Sequence, residues 1–214
     1  MKKKQERALE IVHGLKRMYP KAKCSLDFTN PFELLIATML SAQSTDARVN
    51  IVTKSLFRKY PSAAVMAKAS QPEMERDVKQ TGFFRNKAKA VIAASKAIVE
   101  KHGGQVPDTM EELIALPGVG RKTANVVLSN AFKKPVGVVV DTHVARLAAR
   151  LGLTANADAV KIEEDLMKLI PPKEWTAFSH RLIAHGRAIC VARKPKCAEC
   201  DLNELCPSAE EPPE

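Results

Sequence analysis

Apolar residues recur along most of this chain at intervals of three and four, the period of an α-helix with one face turned to a core. Ala8, Ile11, Val12, Leu15 and Met18 draw such a stripe over residues 5–18, and Pro20 ends it. A polar stretch follows through Asn30. Pro31 then stands where the first turn of a helix accepts proline, and an apolar helix is predicted over 32–42. Ser44-Thr45-Asp46 is a capping signal for a helix running to about Tyr60. Further helices fit residues 62–68, 71–80, 84–102, 109–115, 121–131, 142–151, 158–169 and 173–188, with Gly82 and Gly103-Gly104 as breaks. The β-branched run Val136 to Val140 stands alone, and a lone strand makes no sheet, so it is expected to be an extended, buried connector. The fold class is all-α, with a loop-rich C-terminus. The acidic, proline-rich tail after Cys206 is expected to fray.

A length of 214 residues allows one large domain or two small ones, with enough chain to bury a core without disulfides. At 45% hydrophobic and 27% charged residues, global disorder is excluded. No apolar run approaches the ~20 residues of a membrane helix. The opening Met1-Lys2-Lys3-Lys4-Gln5-Glu6-Arg7 has no apolar segment behind it. No membrane association and a cytoplasmic location are therefore expected, nucleoid-associated if the source is bacterial. Charge narrows the partner: 34 Lys and Arg against 24 Asp and Glu give a net +10. So basic a chain, with its cations dispersed, suits a polyanion.

The five cysteines are unevenly placed. Cys24 stands alone and reads as a small, half-buried hydrophobe. Cys190, Cys197, Cys200 and Cys206 crowd the C-terminal end, a metal-site pattern rather than a spread disulfide framework. Four thiolates suit Zn²⁺ or an iron–sulfur cluster. Only Cys197 and Cys200 form a C-x2-C knuckle; the wider loops on either side favour a bulkier [4Fe–4S] cubane over zinc. Arg193, Lys194 and Lys196 lie between the first two cysteines. They can offset the cluster's negative charge and reach phosphates, or simply form a solvated cationic loop.

Leu116-Pro117-Gly118-Val119-Gly120 separates two helical segments, and Arg121 and Lys122 open the second. Glycines bring backbone N–H groups close to a ligand, and a helix N-terminus adds positive potential, so the turn is a candidate phosphate site. An ordinary helix connection has the same pattern. The helix dipole and Arg121 disfavour a charged ammonium on Lys122, and an uncharged lysine amine is a nucleophile for Schiff-base chemistry. On the local sequence alone, a surface lysine on a phosphate is the better fit. In Val140-Asp141-Thr142-His143, Asp141 is placed as an N-cap, fixed and partly buried, which also suits a carboxylate stabilising a developing cation. His143 reads equally as a core histidine or a phosphate donor.

Taken in order, several segments resemble the endonuclease III family, bifunctional DNA glycosylases of base-excision repair. They are Leu40-Ser41-Ala42-Gln43-Ser44-Thr45-Asp46, residues 116–127, Val140-Asp141-Thr142-His143, His185-Gly186-Arg187 and the four-cysteine loop. The resemblance spans about residues 5–207. It implies a two-lobed helix-hairpin-helix architecture: a six-helix lobe over 23–134, and a cluster lobe made of 1–22 and 135–214. Double-stranded DNA carrying a damaged base or an abasic site is the implied partner, bound by a monomer across the groove between lobes.

The resemblance also assigns roles. Lys122 becomes the nucleophile that attacks C1′, Asp141 the carboxylate that supports it, and Gln43 the residue filling the space of a flipped-out nucleotide. Gln43 could equally be a helix C-cap. Phe83, in Thr81-Gly82-Phe83-Phe84, stands where the family more often has an aliphatic wedge, and a core or interface aromatic is the alternative. Hairpin carbonyls of Leu116 to Val119 are implied to hold a monovalent cation, and Gly118, Gly120, Arg121 and His143 to meet DNA. The usual substrates of such enzymes are oxidised pyrimidines. An adenine-mismatch glycosylase lacks the lysine at Lys122 and adds a C-terminal domain; a non-catalytic DNA-binding module has no use for Lys122 with Asp141.

Overall fold

Helices begin where their capping signals stand. In the computed structural model, which describes residues 2–209, Asn30 accepts from Glu33 N, Thr45 from Arg48 N, Thr109 from Glu112 N and Asp141 from Val144 N. Each cap satisfies a backbone donor that the first turn leaves open, worth about 1 kcal/mol. The helices are α1 (Lys2–Met18), α2 (Pro31–Leu40), α3 (Asp46–Lys59), α4 (Ala63–Met66), α5 (Gln71–Val78), α6 (Phe84–His102), α7 (Met110–Ile114), α8 (Arg121–Asn130), α9 (Thr142–Arg150), α10 (Ala159–Leu169) and α11 (Trp175–Ala188). No strand occurs among the described residues, and no helix is long and apolar enough to cross a membrane.

The chain divides into two compact units. Cys24–Lys134 forms one; Met1–Lys23 with Pro135–Glu214 forms the other. The first holds α2 to α8, seven helices counting the single turn of α4, where six are implied by resemblance. Its axis is α2, whose Leu34, Leu35, Ile36, Ala37 and Leu40 are wholly buried. Such a helix has no polar face to give to water, and each buried Leu or Ile contributes about 1.5–3 kcal/mol. Against α2 packs α8, while α4 and α5 pack on α6. Cys24 is half-buried against this core, and burial pushes its thiol up.

The second unit packs α9 on α11, and α1 on both α10 and α11, around Ile11, Leu15, Val144, Leu147, Leu166, Phe178 and Leu182. The 136–140 run is an irregular connector. Its Val138 and Val139 are buried, and Val139 N donates to Ser179 Oγ (3.1 Å). Residues Pro207–Ala209 form a 3-10 turn rather than a frayed end; the rest of the acidic tail lies outside the described residues.

Candidate nucleic-acid interface and thiol site

The turn between α7 and α8 is anchored by apolar side chains and left open by glycine. Leu116 and Val119 are buried, and Val119 N donates to Leu116 O (3.1 Å). Gly118 has φ +76, and a Cβ there would stand 2.9 Å from Ala90 Cβ and 3.3 Å from Met39 Cε. The turn can therefore lie this close to α2 and α6 only without a side chain. Gly120 is the N-cap of α8, has no side chain to cap the helix, and faces open space. Arg121 and Lys122 are exposed in the first turn, which carries no acidic residue. Backbone donors, helix dipole and two exposed cations thus stand at the same helix end, while Ala124, Val127 and Leu128 are buried.

Gln43, Phe83 and Gly118 line one recess with Met39, Ala42, Asn86, Lys87 and Ala90, its empty space ≈ 660 Å³ with the mouth included. Both long side chains sit on strained backbone: Gln43 at φ 53 and Phe83 at φ 46. The left-handed region costs an L-residue about 1–2 kcal/mol. Two readings are corrected here. The C-cap of α2 is Ser41, so Gln43 lies beyond the helix in an exposed turn. Phe83 is 64% exposed, which rules out a core aromatic.

In the other unit, half-buried Asp141 caps α9 through Oδ1, 2.8 Å from Val144 N. Gly137, just upstream, is buried where a Cβ would run into Glu163 Oε1. The His143 ring lies against Gly186, whose Cβ would come within 3.0 Å of Nδ1, and Nδ1 is 3.3 Å from Arg146 Nη2. Burial pushes His143 below the usual histidine value, so its ring is neutral at neutral pH. It is neither wholly exposed nor a core side chain.

Cys190, Cys197, Cys200 and Cys206, all free and half-buried, line one recess with Leu147, Leu151, Ile189 and His185, its empty space ≈ 370 Å³ with the mouth included. Among the described residues, no group of three or more His, Cys, Asp or Glu is arranged to hold a metal ion. Burial, then the neighbouring cysteines, push the Cys200 and Cys206 thiols up.

Sequence reasoning missed Arg146, Arg150 and Tyr19 around this recess, and gave His185 no role there. Arg150 donates to Cys190 Sγ (3.4 Å), Val191 O (2.7 Å) and Ala192 O (2.8 Å). Arg146 Nη2 donates to Gly186 O and Cys190 O, both at 3.0 Å. His185 is 2% exposed, with Nε2 3.5 Å from Cys200 Sγ and Nδ1 3.0 Å from the Tyr19 hydroxyl; burial pushes it down to about 4. Arg146 and Arg150 stand four apart on α9, a spacing that marks one face of a helix and was the available signal. Nothing local announces Tyr19. The exposed Arg193, Lys194 and Lys196 ride on this loop, with Lys194 at φ 50 and Lys196 Nζ 3.9 Å from Glu199.

A model of the family described as HhH-GPD superfamily base excision DNA repair protein matches residues 36–172. Endonuclease III of Synechocystis sp. is 57% identical over 210 residues, covering 98% of this chain and 96% of its own. The solved structure "Structure of a non-covalent Endonuclease III-DNA Complex" superposes with a TM-score of 0.92 at 43% identity, over 96% of both chains. The structure of a trapped endonuclease III–DNA covalent intermediate gives the same TM-score of 0.92 and identity of 43%, over 96% of this chain and 97% of that one.

Proposed function

The chain belongs to the endonuclease III family, within the HhH-GPD superfamily of base excision DNA repair proteins, and on that footing we propose that Lys122 is its nucleophile and Asp141 the supporting carboxylate. It is a DNA glycosylase with abasic-site lyase activity in base-excision repair, acting on damaged DNA. Oxidised pyrimidines are the substrate class. The observation that carries the residue assignment is the first turn of α8: an exposed lysine beside an uncapped helix N-terminus that can hold the adjoining phosphate.

With a nucleotide flipped out of the duplex, Lys122 Nζ bonds to C1′ as the bond from C1′ to the base breaks, and its electron pair leaves with the base. Asp141, its charge fixed by the cap to Val144, stabilises positive charge on the sugar or takes the proton from the lysine. The adduct opens to a Schiff base. Loss of a C2′ proton then expels the 3′ phosphate, and the strand is nicked. Gln43 and Phe83 occupy the space in the duplex, and Gly118, Gly120, Arg121 and His143 contact the backbone. The neutral imidazole of His143 serves as a hydrogen-bond donor, not a cation.

Cys190, Cys197, Cys200 and Cys206 would hold a [4Fe–4S] cluster. The donor set fits: four thiols surround one apolar recess, with Arg150 Nη1 and His185 Nε2 near two of the sulfurs. A cubane spreads its thiolates over four irons, so they need not converge on a point as zinc ligands do. When bound, the cluster supplies a structural pin for the loop that carries Arg193, Lys194 and Lys196 to phosphate. A monovalent cation at the hairpin would be held by backbone carbonyls of Leu116 to Val119, and no step runs through it.

Borohydride reduction tests the nucleophile. Wild-type protein is expected to be trapped covalently on abasic DNA, and Lys122→Ala to lose trapping while still binding that DNA. Undiminished trapping by Lys122→Ala overturns the assignment. Lys122→Arg keeps the charge without an available lone pair, so it is expected to behave as the alanine variant does.

A further inference from the structure

Lysine 87 is buried, and the reaction as described does not use it. It lies on α6, one turn from its start, and is 7% exposed. Lysine is almost never this buried without a partner. Its partner here is no carboxylate: Nζ donates to the carbonyl of Thr81 at 2.6 Å. Burial pushes the ammonium below the usual lysine range. An apolar side chain of similar length would fill the same volume without the cost of desolvating a charge. The question is what that charge holds.

It holds the turn that presents Phe83. Thr81 is 2% exposed, and its hydroxyl donates to Val78 O (2.8 Å). Gly82 follows at φ 70, then Phe83 at φ 46 with its ring in solvent. Lysine 87 grips this turn twice. Its ammonium takes the carbonyl two residues before Phe83, and its backbone N–H takes the carbonyl of Phe83 itself (3.2 Å). A large aromatic residue in left-handed backbone persists only where its surroundings over-determine it. Helix α6 supplies the second grip whatever the side chain at 87; the first exists only with a long donor there.

We propose that Lys87 is a positioning residue that locks the Thr81-Gly82-Phe83 turn, so that Phe83 stands beside Gln43 ready to enter the duplex. The inference rests on the reading of Phe83 as an intercalating wedge. Without the ammonium, the Thr81 carbonyl loses its partner and the turn is free to leave the left-handed region. Phe83 then has to be ordered each time DNA binds. The penalty falls on opening a duplex and not on the lysine chemistry at C1′.

A two-residue cycle tests this, using wild type, Lys87→Met, Phe83→Ala and the double variant. Two quantities are read: borohydride trapping on duplex relative to single-stranded abasic DNA, which needs no wedge, and the fluorescence of 2-aminopurine placed beside the lesion, which rises on unstacking. Lys87→Met is expected to lower the duplex-to-single-strand ratio and the fluorescence rise together, by about tenfold in rate, the factor that matches the cost of left-handed backbone. In the Phe83→Ala background the same change is expected to do nothing further. Lys87→Gln, which keeps an N–H donor on a shorter arm, goes through the same cycle and is expected to lie between, so that poor folding of the methionine variant leaves the test intact. If Phe83→Ala keeps the wild-type ratio, the wedge reading falls and takes this inference with it. If Phe83→Ala is impaired but the lysine variants match wild type, or add their effect in full to it, the wedge stands and Lys87 is merely structural.

Discussion

The hairpin at 116–120 and the loop at 190–206 both bring cations to the surface, and they are built by opposite means. The hairpin is held by core packing. Leu116 and Val119 are buried, Gly118 lies against Ala90 and Met39, and α8 turns Ala124, Val127 and Leu128 into the same core that surrounds α2. Its geometry follows from the hydrophobic interior of its unit. The cysteine loop has no such interior. Leu202 is the one residue of 190–206 that is fully buried, docked where Gly14 of α1 leaves room; a Cβ on Gly14 would stand 2.5 Å from its Cδ2. The rest hangs on side chains reaching in from helices: Arg150 on Cys190, Val191 and Ala192, Arg146 on Cys190, and Arg7 on Leu205 O (2.9 Å). A segment made of short 3-10 turns and four half-buried thiols lacks the apolar area to offset its ordering entropy. On the function proposed above, the hairpin's phosphate site would be a by-product of folding, and the loop's would need a bound group.

The largest effect should come from removing that group. Anaerobically purified protein is expected to be yellow-brown with about four irons per chain, as a Cys₄ cubane requires. Cys197→Ser or Cys200→Ser is expected to abolish the colour and expose the backbone amides of 190–206 to solvent exchange, because metal binding is coupled to folding of its site. Amides of α2, α6 and α8 are expected to keep their protection. Stoichiometric zinc without iron breaks the cubane reading; equal loss of protection in both units breaks the contrast between them.

What could be read from the chain follows the same division. Caps and glycine turns are local, so α6 at 84–102 and the caps at Thr45 and Asp141 stand where their residues predict. The four cysteines could be grouped by spacing alone. Contacts between distant residues could not. Gly14 makes room for Leu202, and Gly137 for Glu163, but nothing near either glycine names its neighbour. The burial of His185 and its contact with Tyr19 depend on α1 meeting α11. Nor does a phenylalanine announce φ 46: that conformation belongs to the turn around Phe83, not to the residue. The segment read as a helix over 62–68 narrows to the single turn of α4 at Ala63–Met66, because its length depends on packing against α6 and not on its own residues.

A middle-sized effect should separate the two glycines of the hairpin. Gly118→Ala meets positive φ and the Ala90 contact together, so a loss of about 1–3 kcal/mol is expected by thermal unfolding, with weaker DNA binding. Gly120→Ser faces open space and supplies the hydroxyl cap that α8 lacks, so stability should rise by a few tenths of a kcal/mol. DNA affinity should nevertheless fall, because the new hydroxyl competes with phosphate for the same N–H groups. A serine variant that gains both stability and affinity would show that no phosphate sits on that helix end.

The smallest effect concerns the cations of the loop, and it discriminates between them. Each phosphate contact releases counterions, so removing one flattens the dependence of binding on salt by about one unit in the log–log slope. Arg193→Ala is expected to produce that change in full. Lys196 is 3.9 Å from Glu199, and both side chains are more than half exposed, so the pair is weak but lowers the positive potential that a phosphate meets. Lys196→Ala should therefore flatten the slope by less than Arg193→Ala, and Glu199→Gln should strengthen binding at low salt. The ordering also tests the role of the thiol site. In the Cys197→Ser protein the cations remain on the chain but lose their fixed positions, so Arg193→Ala should change the slope far less there than in the wild type. An equal change in both proteins would mean that the loop's charge acts without the loop's shape, and that the cysteines are not needed to present it.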